Sequence, residues 1–274
     1  MVSISRTWIR LSWLVSALMA LASAAGLFVP AVYAKETVSW AAQGAGQDLV
    51  NTVIAFPMLA VSAWYVRQHS LRALMVWFGA LIYVVYSYLM YAFFVHFGPA
   101  FPLYTAVLGL SAFTLIGAAS SLDLSELIQR WPPNFRLRSV SVLLVGLGVA
   151  FGMLWLSAIA RALAAGSAPE GVAEIGMPVN PVHVMDLAFL LPLAIVTGIA
   201  HWKRRPFGLL FATPLLVFFI LMDSAIISMT CFMRARGVTA SLGIAPVMVV
   251  GILISGALII AMLRPVRSST AAIA

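Results

Sequence analysis

The chain has 274 residues, 63% of them hydrophobic and only 9% charged, with a formal net charge of +8 and a mean hydropathy of +1.06. Soluble domains carry about 25% charged residues, so this composition excludes a soluble globular protein and requires lipid as part of the solvent. The basic excess then marks cytoplasmic loops rather than a nucleic-acid partner, because the arginines occur in twos and threes with no basic stripe or binding motif. The single cysteine, Cys231, excludes an intrachain disulfide and any CxxC metal or redox site.

A helix needs about 20 apolar residues to cross the hydrocarbon core. Eight runs qualify, at roughly 11–33, 48–66, 73–95, 101–121, 139–160, 183–201, 207–231 and 240–263. They predict an all-α, polytopic transmembrane bundle in which residues 1–274 form one membrane domain. Span 1 has a second reading. Arg6 and Arg10, an apolar run, and Val32-Tyr33-Ala34 before Lys35 resemble a signal peptide with its cleavage site. The run is about 19 residues, longer than the usual 7–15, which favours an uncleaved helix; cleavage would leave seven spans.

Span 2 reads DLVNTVIAFPMLAVSAWYVRQHSLR and span 6 reads DLAFLLPLAIVTGIAHWKRRP. Both open on Asp-Leu, contain a proline (Pro57, Pro192) and end in a short basic loop. This suggests a weak repeat of two parallel four-span halves, an arrangement known in transporters. The Asp-to-Pro spacings differ, nine against six, and chance likeness of two apolar helices is the competing explanation. The prolines are expected to kink their helices. Between spans 4 and 5, Leu124, Leu127 and Ile128 share a face ahead of Trp131 and Pro132-Pro133. This segment reads as a connector with a tryptophan at the lipid boundary, or as a short interfacial helix.

Orientation follows from charge. With the N-terminus inside, the inner segments hold twelve basic residues: Arg6, Arg10, Arg67, Arg72, Arg130, Arg136, Arg138, Lys203, Arg204, Arg205, Arg264 and Arg267. The outer side holds four, Lys35, Arg161, Arg234 and Arg236, so both termini are expected in the cytoplasm.

On that orientation the ionisable groups of the spans gather toward the outer leaflet. Asp48 and Asn51 start span 2, His183 and Asp186 start span 6, and Asp223 sits in the outer half of span 7, about 24 Å from its inner end. Tyr83, Tyr86, Tyr88, Tyr91 and His96 follow on span 3, and Tyr104 and Thr105 on span 4. A carboxylate at mid-span costs about 2.5–3.5 kcal/mol, so Asp223 is expected to face protein or water. His183 and Asp186, three apart, share a face on which a proton relay or a cation site is chemically reasonable. The binding candidates are therefore His183, Asp186, Asp223, Asp48, Asn51, Tyr83, Tyr86 and His96. The bland alternatives are specific. Asp48 or Asp186 caps its helix; the tyrosines form an aromatic belt; Tyr83, Tyr86 and Met90 pack as a stripe; His96 is a loop residue; His69 and His201 are solvated contacts at the inner boundary.

No lysine falls inside a span, which excludes a retinal Schiff base, and GxxxxGK[ST], HExxH and GxSxG are absent. The sequence therefore assigns no catalytic residue, no metal ligand and no cofactor. Small residues such as Gly79, Gly146, Gly148, Gly251 and Gly256 permit close helix packing. The runs NPVHVMDLAFLLP with HWKRRPFG, and YSYLMYAFFVHFGPAFPLY, resemble a group of bacterial multi-span membrane proteins described only as hypothetical. The resemblance covers most of the chain after span 1 and implies an integral protein of the bacterial inner membrane, with no activity attached.

Three functions fit these features. The first is a small-molecule or proton-coupled transporter with a polar site near the outer leaflet, in which Asp186 and Asp223 approach one another across a cavity. The second is a membrane enzyme or redox protein acting on a lipid, quinone or haem. The third is a non-catalytic sensor or assembly partner. The lipid bilayer is the expected surrounding, a small solute or proton the expected ligand, and nucleic acid is not expected.

Overall fold

The computed structural model describes residues 4–132, 135, 137–169 and 171–266. Arg136, Arg267 and Pro133, used above, lie outside these residues. The described chain is an all-α bundle with eight helices long and apolar enough to cross a membrane. Span 1 is Arg6–Phe28, span 2 Val38–Arg67, span 3 Leu71–Phe94 and span 4 Phe101–Ser120. Span 5 is Arg138–Ala164, span 6 Pro181–Trp202, span 7 Pro206–Ala235 and span 8 Ile244–Leu263.

Spans 3 and 7 form the centre, with 61% and 56% of their apolar windows buried, whereas spans 5 and 8 stand at the edge with 11% each. Large apolar side chains such as Phe113, Met153, Leu163 and Leu253 remain exposed on the outside. Exposure on that scale fits a lipid solvent and not water.

Helix starts are set by caps where the chain offers them. The side chains of Ser5, Thr37, Ser70 and Asn180 accept from first-turn N–H groups of spans 1, 2, 3 and 6. Thr37 opens span 2 ten residues earlier than hydropathy alone places it, because Ala, Gly, Ser and Gln dilute the first turns of that span. Asp48 is therefore inside the helix and is not its cap, and Asn180 rather than Asp186 caps span 6.

Spans 2 and 6 are broken in the same way. In each, an α-helix gives way to a five-residue π-helical stretch, Asn51–Ala55 in span 2 and Asp186–Leu190 in span 6. The α-helix then resumes with proline as its second residue, Pro57 or Pro192. Widening the turn to i→i+5 accommodates a ring that would otherwise crowd the carbonyl of the preceding turn, and a proline lacks the N–H that the α-ladder needs. The prolines thus sit just after a π-turn.

These breaks give the repeat its register. Asn51 and Asp186 head the π-turns, Pro57 and Pro192 follow, and His69 and Arg204 end the spans in left-handed conformation, at φ 60° and 54°. The next helices begin at Leu71 and Pro206. Each pair is 135 residues apart: 186 minus 51, 192 minus 57, 204 minus 69 and 206 minus 71. His69 and Arg204 are the only non-glycine residues with positive φ among the described residues. Spans 3 and 7 cross at Gly79, where an added Cβ would lie 2.6 Å from the Pro214 carbonyl oxygen and 2.5 Å from Val217 Cβ. Pro214 is itself 135 residues from Gly79, the same offset as the paired breaks. The Asp-Leu match seen in the sequence is out of register by three: Asp186 corresponds to Asn51, and Asp48 to His183.

Neighbour relations repeat as well. Span 1 packs on 2, 2 on 3 and 3 on 4, as span 5 packs on 6, 6 on 7 and 7 on 8. The halves differ at their edges. Span 1 packs on span 4, with the Trp8 ring against Gly117, while spans 5 and 8 form no comparable contact. Span 7 packs extensively on span 2, whereas span 3 touches only the start of span 6.

At one end of the bundle the Arg72 side chain donates to the Leu263 carbonyl at 3.1 Å, and Trp131 Nε1 to that of Met262 at 3.1 Å. Trp131 is buried there, 3% exposed, and is not a lipid-boundary anchor. It follows the short helix Leu124–Ile128, which Asp123 caps and which buries Leu127. His201 is also at this end, buried and 2.9 Å from Ser141 Oγ through Nδ1. It is a packed residue, unlike exposed His69, because span 7 starts directly against its backbone at Gly208.

Candidate functional site

The opposite end carries the polar interior. Span 2 presents Gln43, Gln47 and Asn51 at intervals of four, so they fall on one face. Gln47 Nε2 donates to Tyr83 Oη and to Ser87 Oγ, each at 2.8 Å. Tyr83 Oη donates on to Asn51 Oδ1 at 3.0 Å. Asn51 is fully buried, and its Nδ2 has no partner in the structure. An orphaned amide donor at a π-turn leaves about 1–3 kcal/mol of hydrogen-bonding capacity unused.

Three residues along span 3 from Tyr83, Tyr86 reaches the other half of the molecule. Its hydroxyl donates to Asp186 Oδ1 at 2.8 Å, and Trp155 Nε1 of span 5 donates to Asp186 Oδ2 at 2.9 Å. The Trp155 and His183 rings lie 4.8 Å apart, so His183 and Asp186 meet through Trp155 rather than by a direct hydrogen bond. Phe218 of span 7 packs edge-on against both Tyr83 and Tyr86, at 6.4 and 5.3 Å between ring centroids. The two residues that head the π-turns are thus each held by a tyrosine of span 3, one within its own half and one across the seam.

Asp48 has separate company. Tyr33 Oη donates to its Oδ2 at 2.5 Å and Tyr91 Oη to its Oδ1 at 2.9 Å. Tyr33 lies in the connection before span 2. Burial, reinforced by the Asp48 carboxylate, pushes its hydroxyl well above the ordinary phenol range and keeps it a donor. Tyr91 stacks on Tyr104 at 4.9 Å, and Tyr88 packs edge-on against both. These rings are buried, so they form an interior polar wall and not a lipid-facing belt.

The remaining candidates stand apart. Asp223 joins neither carboxylate by a hydrogen bond. It faces span 8, where an added Cβ on Gly251 would come 2.5 Å from Asp223 Oδ2. Among the described residues no hydrogen bond links Asp186 to Asp223; Tyr86 and Trp155 each donate to one oxygen of Asp186. His96 lies in the connection after span 3 and pairs with Glu36, Nδ1 to Oε2 at 3.0 Å. Beside it Lys35 Nζ donates to the Phe97 carbonyl at 2.9 Å. A depression of about 190 Å³ opens at this end between spans 2, 6 and 7, with Ser39, Trp40, Gln43 and Asn180 in its lining. Among the described residues no three His, Cys, Asp or Glu side chains gather as a metal site.

Hydropathy could not reveal Gln47, Ser87, Tyr33 or Trp155 as site residues. The one available signal was the four-residue spacing of Gln43, Gln47 and Asn51, which reads as a face only once the helix is known to start at Val38.

No family model, no curated protein and no solved structure matches this chain. The class defined by its fold is that of a multi-span helical membrane protein, and the reading of its role rests on the site itself.

Proposed function

We propose that the chain is a carrier for a small polar solute, coupled to proton movement, in the bacterial inner membrane. The supporting observation is the matched break in spans 2 and 6. Each half places a polar residue, Asn51 or Asp186, at the head of a π-turn followed by proline, and each is bonded to a neighbouring tyrosine of span 3. Broken helices near the meeting of related halves are where carriers hold solutes and ions. The two bonds are not equivalent. Tyr83 to Asn51 stays within one half, and Tyr86 to Asp186 crosses to the other. Rocking of the halves would break the second and leave the first.

The basic residues favour both termini in the cytoplasm, because ten of the described Lys and Arg lie toward the end that carries Arg72 and Trp131, against four at the other. The depression beside Gln43 and Asn180 then opens to the outside and lies above the polar face of span 2.

The test is proton flux. Purified protein in liposomes loaded with a pH-sensitive dye is challenged with a panel of small amines, amino acids and carboxylates. At least one solute is expected to drive proton movement, reduced tenfold or more by Asp186→Asn and by much less with Asp223→Asn. Flux unchanged in Asp186→Asn, or none with any solute, would discard the carrier reading.

A further inference from the structure

Asp48 is a carboxyl group inside the bundle, 1% exposed, with no basic side chain paired to it among the described residues. An isolated buried charge costs several kcal/mol even after relaxation, so Asp48 is either neutralised by a proton or ionised with a cation beside it. The two tyrosine hydroxyls donate to it and so stabilise the anion, but they are neutral and leave its charge uncompensated.

The surroundings of Asp48 are oxygen atoms. Each carboxylate oxygen accepts one tyrosine hydroxyl and keeps a lone pair. Ser23 of span 1, fully buried, lies beside Asp48 and Tyr88 but makes no well-aligned hydrogen bond through its Oγ. Tyr104 of span 4, 3% exposed, likewise makes no well-aligned hydrogen bond through its hydroxyl, which lies beside that of Tyr33. Two buried hydroxyls without well-aligned bonds thus lie around one carboxyl group, Ser23 beside Asp48 and Tyr104 beside the Tyr33 that donates to it. Span 1 approaches closely enough to do this because residue 26 is glycine; a Cβ there would clash directly with Asp48 Oδ2.

We propose that Asp48, with Ser23, Tyr33, Tyr91 and Tyr104, forms a binding site for a sodium ion. Hard cations take oxygen ligands. One carboxylate among neutral hydroxyls balances a single positive charge, whereas a divalent ion would leave a net charge buried. The close approach at Gly26 favours a small ion. The titratable groups that face Asp48 are the tyrosines 33, 83, 88, 91 and 104, with Glu36 beyond Tyr104. None is a cation that would compete with sodium. The seam site at Asp186 has no such set, since its oxygens meet a tyrosine and an indole N–H. The proposal stands without the carrier reading, because binding requires no gradient.

The experiment is equilibrium binding of radioactive sodium to the purified full chain in lipid nanodiscs at pH 8, with choline holding ionic strength. Saturable binding near one ion per chain is expected. Asp48→Asn should weaken it at least tenfold and Ser23→Ala several-fold, while Asp223→Asn binds as the parent does. A single symmetric size-exclusion peak checks folding. Should Asp48→Asn not fold, Ser23→Ala and Tyr104→Phe carry the decision, and parental affinity in both overturns the site. Absence of saturable sodium binding to the parent also overturns it and leaves a proton as the balancing charge.

Discussion

Tyr83 shows how much one hydroxyl can organise. It accepts from Gln47 and donates to Asn51, so two turns of span 2 are tied to span 3 through a single oxygen. Tyr83→Phe keeps the ring against Phe218 but leaves the Asn51 carbonyl, and part of the Gln47 amide, without a partner. Each buried group left unsatisfied costs about 1–3 kcal/mol. A clear fall in the thermal midpoint of the purified protein is therefore expected, larger than for Tyr65→Phe on the exposed face of the same bundle. Asp48 and Asp186 illustrate the limit of reading residues singly. Both look like helix caps when hydropathy sets the boundary, because an acid at the start of an apolar run is where a cap belongs. Thr37 and Asn180 take the caps instead, which frees both carboxylates for contacts with other spans.

At the level of the element, the paired left-handed turns after spans 2 and 6 carry a direct consequence. His69 and Arg204 hold φ near +60°, where a Cβ crowds the following carbonyl. His69→Gly and Arg204→Gly are each expected to stabilise the protein by about 1 kcal/mol, read as a raised thermal midpoint. A fall at either site would mean that the side chain makes a contribution larger than the strain it relieves. Span 1 is the second case. Its Ser12 accepts from Trp77 Nε1 at 3.0 Å, and its Ser23 and Gly26 close over Asp48. A segment built into the interior in this way is expected to remain attached. The intact mass of membrane-extracted protein should include residues 1–34, and a mass starting at Lys35 would contradict that expectation.

For the whole molecule, the crossing of spans 3 and 7 joins the halves. Gly79→Val would push its side chain into the Val217 side chain and the Pro214 carbonyl, the latter on a backbone that cannot yield cheaply. Loss of the monodisperse protein, or destabilisation beyond about 2 kcal/mol, is expected, whereas Gly146→Val, with open space around it, should be tolerated. The same interface predicts reassembly. Residues 1–132 and 137–274, co-expressed as separate chains, should co-purify through a tag on either one, since span 7 packs on both span 2 and span 3. Halves that purify singly would show that the connection between spans 4 and 5 is needed to bring them together.

The amino-acid sequence by itself determined the class of the protein and its eight spans. Those properties are sums over windows of about 20 residues, and side-chain hydropathy adds along a chain whatever its neighbours in space. Polar residues that would have to be hidden from lipid were legible for the same reason: Asp48, Asn51, Tyr83, His183 and Asp186 are buried, while Tyr86 and Asp223 are half-buried and His96 is exposed. Only the tertiary structure decided which of them meet. The prolines were readable, but the π-turns ahead of them were not, because the choice between i→i+4 and i→i+5 rests on packing around the break. The π-turns fall at matching places in the two halves and mark the register in which Asn51, and not Asp48, matches Asp186. Tyr86 with Trp155, and Tyr33 with Tyr91, come from segments 31 to 100 residues away from the carboxylates they serve, or 15 and 43 away. No window along the chain contains both partners. Their meeting depends on the order in which spans pack, which the membrane leaves open because lipid solvates every apolar face equally well.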